Sequence, residues 1–353
     1  MKCTRKWSIF LLVAMTMLSA CGNQDASSSR VQKEAISSES EQLTTEDNVV
    51  VREGSEISNS RRNLSQTGMT ETVPSEYLSA LEHQGSVVRV NYDSKDYVRD
   101  SSPISKTAYV YLPYGYDEND TDTRYDIIYL MHGMGGRAGE YFDFGNNRNM
   151  FDHLIGNGDI PPSIIVSATF YTENSETDFS GSIRELREFH QDFRNDLMPA
   201  IEGQFHTYAM STSKEDFAAS RDHRAFGGFS LGSVTTWMEF CYDYDYIRYF
   251  LPMSGSCWYY GSYGDYYPVE TSDFFEELIE ENNLNERGYF IYAATGTQDM
   301  VRDQMEIQME EMLNRSEVFT PDHVVYYQKQ DGRHDFEAVQ EYLFNALPLF
   351  FRD

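Results

Sequence analysis

The sequence is poor in positive charge, in cysteine and in long apolar runs, and each shortage closes off a class of function. Only 28 Lys and Arg stand against 57 Asp and Glu, a formal charge of −29 over 353 residues. Nucleic acid and anionic lipid surfaces would be repelled over a Debye length, so neither is expected as a partner. The four cysteines and eight histidines show no metal-ligand spacing, and no carboxylate set supplies one. No P-loop or dinucleotide fingerprint occurs. Neither a metal nor a cofactor is therefore expected. The apolar run Trp7 to Met17 is too short to span a bilayer.

That run instead has the parts of an export signal. Lys2, Arg5 and Lys6 flank its start, and Leu18-Ser19-Ala20-Cys21 follows it. Leu-Ser-Ala-Cys resembles a bacterial lipobox, in which cleavage leaves the cysteine as a lipid-carrying N-terminus. Residues 1–20 are expected to be the signal, with Cys21 as the lipid attachment site. The mature chain is then expected on the outer face of the cytoplasmic membrane, touching it only through that anchor. Residues 21–74 are dominated by Ser, Glu, Gln, Asn and Thr, which bury too little surface to offset the entropy of ordering. They read as a polar spacer. Residues 75–353 are long for one domain but ordinary for a sheet-centred α/β enzyme.

Eight short apolar or β-rich runs divide this region: Val87 to Tyr92, Thr107 to Leu112, Ile127 to Met131, Ile164 to Ala168, Ala225 to Phe229, Tyr249 to Met253, Phe290 to Thr295 and Val324 to Gln328. The first two are separated by a polar stretch that suits antiparallel pairing, the later ones by spans long enough for helical crossovers. Leu186, Phe189, Phe193, Leu197 and Ile201 make one apolar face, predicting a helix over 183–205. Further helices are expected over 300–315 and 336–351. The result is an α/β fold, a mostly parallel sheet with helices on both faces and its ligand site at the carboxyl ends of the strands. Within it, Cys241 is expected at the bottom of a helix and Cys257 at the top of the sheet, on the order of 18 Å apart for a twelve-residue helix. Two free thiols follow, since a disulfide needs Cα atoms within about 7 Å.

Chemistry enters at Gly228-Phe229-Ser230-Leu231-Gly232. The strand before it and the helix-like Ser233 to Phe240 after it are the context of a G-x-S-x-G nucleophile elbow. A serine hydroxyl needs a neighbouring base, itself oriented by a carboxylate, and in this fold class the chain order is Ser, then Asp or Glu, then His. Asp299 follows the strand Phe290 to Thr295 directly, in a loop. Asp303 is the rival, but it falls one turn inside a helix, where an acidic residue commonly favours the N-terminus. His334 follows the last strand. It comes after both the serine and an acidic loop while sitting at a strand end, unlike His83, His153, His190, His206, His223 and His323.

Acyl transfer also needs amide donors for the developing oxyanion. Leu231 offers one, being the residue after the nucleophile. The other is expected from the glycine-rich turn His132-Gly133-Met134-Gly135-Gly136, which follows an early strand. Beyond the sixth strand, Trp258, Tyr259, Tyr260, Tyr263, Tyr266 and Tyr267 form a glycine-spaced aromatic cluster suited to stacking on a phenolic group or a sugar. With 26 tyrosines in the chain, the same cluster reads equally well as packing.

Four blocks carry a family likeness: Leu112-Pro113-Tyr114-Gly115-Tyr116, Tyr129 to Gly136, Phe226 to Gly232 and Gly332-Arg333-His334-Asp335-Phe336. Together they resemble the esterase D-like putative esterases of the α/β-hydrolase superfamily and, among them, carbohydrate esterase family 1, the feruloyl and acetylxylan esterases of bacteria that degrade plant cell walls. The resemblance covers about Lys106 to Phe351. It implies hydrolysis of ester side groups on polysaccharide such as xylan, with Met134 and Leu231 at the oxyanion positions and Trp258 matching the family's tryptophan in the substrate pocket. Gly255-Ser256-Cys257-Trp258 stands where feruloyl esterases often have Gly-Asp-Ser-Trp, and Gly332-Arg333-His334 where they have Gly-Gly-His. The expected activity is that of a serine esterase acting on feruloyl or acetyl groups. An acyltransferase with the same triad and a non-catalytic carbohydrate-binding lipoprotein are the alternatives.

Overall fold

A computed structural model describes residues 72–261 and 267–352. The signal, Cys21, nearly all of the spacer, and Tyr263 and Tyr266 lie outside the described residues. The strands are β1 (Ser86–Lys95), β2 (Pro103–Leu112), β3 (Asp126–Met131), β4 (Ser163–Ala168), β5 (Arg224–Phe229), β6 (Tyr249–Met253), β7 (Phe290–Gly296) and β8 (Val324–Lys329). Between them run helices α1 (Glu140–Asp143), α2 (Asn147–Gly156), α3 (Phe179–Asp192), α4 (Met198–Glu202), α5 (Lys214–Ala219), α6 (Leu231–Tyr242), α7 (Pro268–Glu281), α8 (Leu284–Arg287), α9 (Arg302–Asn314) and α10 (Phe336–Ala346).

All eight strands join one sheet in the order β1-β2-β4-β3-β5-β6-β7-β8. β1 and β2 pair antiparallel through all ten residues of each, and β2 meets β4 antiparallel. The other five pairings, from β4-β3 to β7-β8, are parallel. Side chains alternate between two cores as the pleat requires. On β3, Ile127, Tyr129 and Met131 enter one core with Phe193, Phe226 and Trp237. Ile128 and Leu130 enter the other with Phe151, Tyr292 and Tyr342. Both faces of the central strands are thus dry, and β3, β4, β5, β6 and β7 are buried at every residue.

The helix expected over 183–205 is interrupted. α3 ends at Asp192, a π-helical turn covers Phe193–Leu197, and α4 resumes at Met198. Pro199 has no amide to give to the preceding turn, and a widened turn absorbs that loss. The last helix likewise ends at Ala346, followed by a 3₁₀ turn that contains Pro348.

The thiols of Cys241 and Cys257 are both free and buried, but the expected separation is wrong. They stand side by side, and burial together with the neighbouring Cys257 thiol raises the Cys241 pKa. After β6 the chain turns back along α6 instead of staying at the top of the sheet. The Gly255 carbonyl accepts from Ser233 Oγ (2.8 Å) and Trp237 Nε1 (2.9 Å), and Tyr259 reaches the Tyr242 ring near the far end of the helix.

Candidate active site

Strand β5 ends at Phe229 and α6 begins at Leu231, leaving Ser230 alone to make the turn, at φ 58° and ψ −117°. That left-handed backbone is costly for any residue with a Cβ. It is held by a 2.9 Å bond from the Ser230 amide to the Met253 carbonyl at the end of β6. Gly232 allows the turn to close, since a Cβ there would fall on the Met131 carbonyl oxygen. The strain puts the Ser230 hydroxyl at the carboxyl edge of the sheet, beside the ends of β6 and β3.

Two neighbouring loops bring up the acid and the base. Asp299 follows β7 and His334 follows β8, and their loops are laced together. The Thr297 amide donates to the Lys329 carbonyl (2.9 Å), the Gln298 amide to the Gly332 carbonyl (2.9 Å), and the Asp331 amide to Thr297 Oγ1 (2.8 Å). His334 Nδ1 lies 2.9 Å from Asp299 Oδ1, and its Nε2 lies 2.9 Å from Ser230 Oγ. Burial works against a charge on Asp299. The neighbouring His334, the Val301 amide and the Ser254 hydroxyl outweigh it and hold the carboxyl below its ordinary pKa. An ionised Asp299 can only accept, so Nδ1 carries the proton and Nε2 is left to accept from the serine. Directly beyond, Asp335 caps α10 by accepting from the Ala338 amide at 2.9 Å, which fixes the loop bearing His334. Asp303, the rival acid, is exposed in the first turn of α9.

The glycine-rich turn after β3 runs against the nucleophile. A Cβ on Gly133 would stand 3.1 Å from that of Ser230. In this turn the Gly135 amide donates to the Tyr171 hydroxyl (2.9 Å) and the Gly136 amide to the Gly133 carbonyl (3.2 Å). Across the gap, the amides of Ser233 and Val234 close onto the Ser230 carbonyl. Among the described residues, the amides of Met134 and Leu231 make no such bond, and these are the two that the sequence nominates as oxyanion donors.

Three supports of this turn escaped the sequence reading. His132 Nδ1–H donates to the Gly133 carbonyl (2.7 Å), and Nε2 accepts from the Thr169 hydroxyl (2.6 Å). Burial pushes the His132 pKa down to about 4, so the ring is neutral and braces the turn without taking part in proton transfer. Tyr171 stacks on that ring, and its hydroxyl pairs with Ser182 of α3 at 2.6 Å. The signal was present in His132-Gly133, since a histidine before a glycine-rich turn can tie its own loop. Trp258 is buried, its ring packs on Phe179 at the start of α3 (5.9 Å between centroids), and its carbonyl accepts from Arg187. It therefore stands at the same end of α3 that braces the glycine-rich turn.

A parallel-sheet core with a serine elbow and an Asp-His pair in reach of it defines a serine hydrolase of the α/β-hydrolase class. The chain belongs to the Putative esterase family, whose model matches residues 103–350. Endo-1,4-beta-xylanase Y of Acetivibrio thermocellus is 34% identical over 288 residues, 79% of this chain and 24% of that protein. The chain thus spans about a quarter of the length of that curated relative. The feruloyl esterase module from Clostridium thermocellum, solved as a serine-to-alanine mutant complexed with sinapinate, is 34% identical with a TM-score of 0.68, covering 80% of this chain and 94% of that one. A CE1 ferulic acid esterase from Anaeromyces mucronatus, in complex with ferulic acid, shares the fold at 18% identity and a TM-score of 0.62, covering 80% and 97% of the two chains.

Proposed function

We propose that the chain is a serine carboxylic-ester hydrolase that removes feruloyl groups from plant cell-wall polysaccharide such as xylan. The observation that carries the reading is the His334 ring, set between Ser230 Oγ and Asp299 Oδ1 at 2.9 Å on each side. Ser230 attacks the ester carbonyl while Nε2 of His334 takes its proton. The Met134 and Leu231 amides bind the oxyanion, each worth roughly 2.7 to 4 kcal/mol of barrier. His334 then protonates the leaving sugar oxygen, and the acyl group stays on Ser230. Water, deprotonated by His334, attacks the acyl-enzyme and releases the carboxylic acid, restoring the serine. Asp299 stays ionised throughout and orients the imidazole.

A phenolic acyl group fits the sinapinate- and ferulate-bound structures of the relatives, and Trp258 beside Phe179 supplies an aromatic wall for it. The test is hydrolysis of methyl ferulate and 4-nitrophenyl acetate by the protein, its Ser230→Ala variant and its Trp258→Ala variant. Serine-dependent release of ferulate, weakened by Trp258→Ala mainly through KM, is expected. Release of acetate alone would move the substrate to acetylated sugars, and turnover by Ser230→Ala would end the assignment. Leu18 to Cys21 supports the further reading that the enzyme is a lipoprotein on the outer face of the cytoplasmic membrane. Mass spectrometry of the membrane fraction checks it, with a diacylglyceryl group expected on Cys21 and absent after Cys21→Ser.

A further inference from the structure

Asp299 has two carboxylate oxygens, and the triad uses one. Both of its hydrogen bonds of full geometry, from His334 Nδ1 and from the Val301 amide (2.9 Å each), fall on Oδ1. Oδ2 is buried without either. Two further buried oxygens share its situation, Ser254 Oγ and the Tyr342 hydroxyl, neither with a partner at full geometry. Yet the three lie close together: the Ser254 hydroxyl helps hold the Asp299 carboxyl down, and Tyr342 feels both Ser254 and the Asp299 charge. A buried polar atom left unsatisfied costs about 1–3 kcal/mol, and three in one place can satisfy one another. Ser254 is moreover held at φ 58° while 1% exposed, and backbone strain of this kind collects at functional sites. Its amide is fixed to the Ala294 carbonyl of β7 at 2.7 Å, so its backbone is held by the sheet itself.

We propose that Ser254 and Tyr342 are positioning residues for the catalytic acid, forming a chain in which the Tyr342 hydroxyl donates to Ser254 Oγ and the Ser254 hydroxyl donates to Asp299 Oδ2. The chain clamps the carboxylate from behind, so that Oδ1 keeps facing His334. Burial and the nearby Asp299 charge raise the Tyr342 pKa far from neutrality, which keeps this hydroxyl a donor. Tyr327 and Asp335 are the other ionisable groups that Tyr342 feels, and His334 is the one facing Asp299.

The inference rests on the triad reading. Its test therefore uses 4-nitrophenyl acetate, which makes no demand on feruloyl specificity, with Ser230→Ala beside it as the check on the triad. In the full chain, Tyr342→Phe removes one oxygen, and Ser254→Gly removes the hydroxyl while accepting the left-handed backbone. Each is expected to lower kcat by about tenfold, the equivalent of 1.36 kcal/mol, with KM little changed. The acid limb of kcat/KM against pH should move upward, because the Asp299 charge then faces His334 without the opposing hydroxyl dipoles. Ser254→Gly should melt no lower than the parent. Parent-like kcat with an unmoved acid limb would overturn the proposal. So would an activity loss that tracks a loss of melting temperature while the acid limb stays in place.

Discussion

Ser230 and Ser254 directly follow adjacent parallel strands with the same positive φ, 58° at each, and each sends its amide one strand further across the sheet. The Ser230 amide bonds the Met253 carbonyl of β6 at 2.9 Å, and the Ser254 amide bonds the Ala294 carbonyl of β7 at 2.7 Å. Ser230 and Ser254 are thus set by one repeated backbone device. Displacing β6 would move both at once, so the triad's geometry is a property of the sheet more than of its loops.

Strain at the nucleophile predicts that stability and activity part company there. A non-glycine residue in this region costs of order 1–3 kcal/mol, which glycine avoids. Ser230→Gly is expected to raise the denaturation midpoint by the equivalent of about 1 kcal/mol while cutting kcat by several orders of magnitude. Urea titration and ester turnover on one preparation read both, and a fall in the midpoint would count against stored strain at this residue.

The two acids beside α9 should behave oppositely. Asp299 is buried against His334, whereas Asp303 is exposed one turn on. Asp299→Asn favours the wrong imidazole tautomer and should reduce kcat by about 10⁴. Asp303→Asn should leave kcat within about twofold and cost at most a few tenths of a kcal/mol at the helix start. Equal losses in the two variants would reopen the choice of acid.

Much of this was readable in the chain. The eight strands announce themselves as short runs of β-branched and aromatic residues, and Ser230, Asp299 and His334 follow from strand ends and chain order alone. What could not be read depends on where the backbone goes between elements. Nothing in Gly255-Ser256-Cys257 says that the chain doubles back along α6, so Cys257 was misplaced relative to Cys241. Likewise, Tyr342 looks like one more apolar position of a closing helix, and only the packing of α10 onto the sheet brings its hydroxyl toward Ser254. Apolar periodicity ran through the π turn at Phe193–Leu197 because Pro199 changes hydrogen bonding without changing the face.

The glycine-rich turn after β3 carries a pH dependence through His132. Its pKa is depressed by burial to about 4, against about 6.5 in an unfolded chain. The folded state therefore excludes a proton that the unfolded state binds. This contribution is fully present above about pH 6.5 and is lost as pH falls to about 4, on the order of 3 kcal/mol in all. His190, also pushed down to about 4 by burial, adds a loss of the same sign. Denaturant midpoints of the parent and of His132→Gln between pH 7 and pH 4 separate the two residues. The variant should lose distinctly less stability over that range, and parallel curves would remove His132 from the account.

An opposite dependence is built into the far end of α6. Glu239 and Asp243 are both buried, with Arg194 Nε 2.8 Å from Asp243 Oδ1. Burial first, and Asp243 second, raise the Glu239 pKa well above its ordinary value, and burial raises Asp243 to about 6. One cation faces two carboxyl groups, so the folded pair retains a proton that the unfolded chain releases. A raised carboxyl pKa contributes stability in full below the unfolded value, near 4.3 for glutamate. As pH climbs toward the folded value, that contribution declines by up to about 1.4 kcal/mol per pH unit. Glu239→Gln keeps the shape, offers Asp243 a permanent donor and has no proton to lose. Its stability relative to the parent should be near zero at pH 4 and should grow steadily toward pH 8, as read by urea midpoints. A difference independent of pH would mean that Glu239 is ionised in the fold and that Arg194 serves both carboxylates.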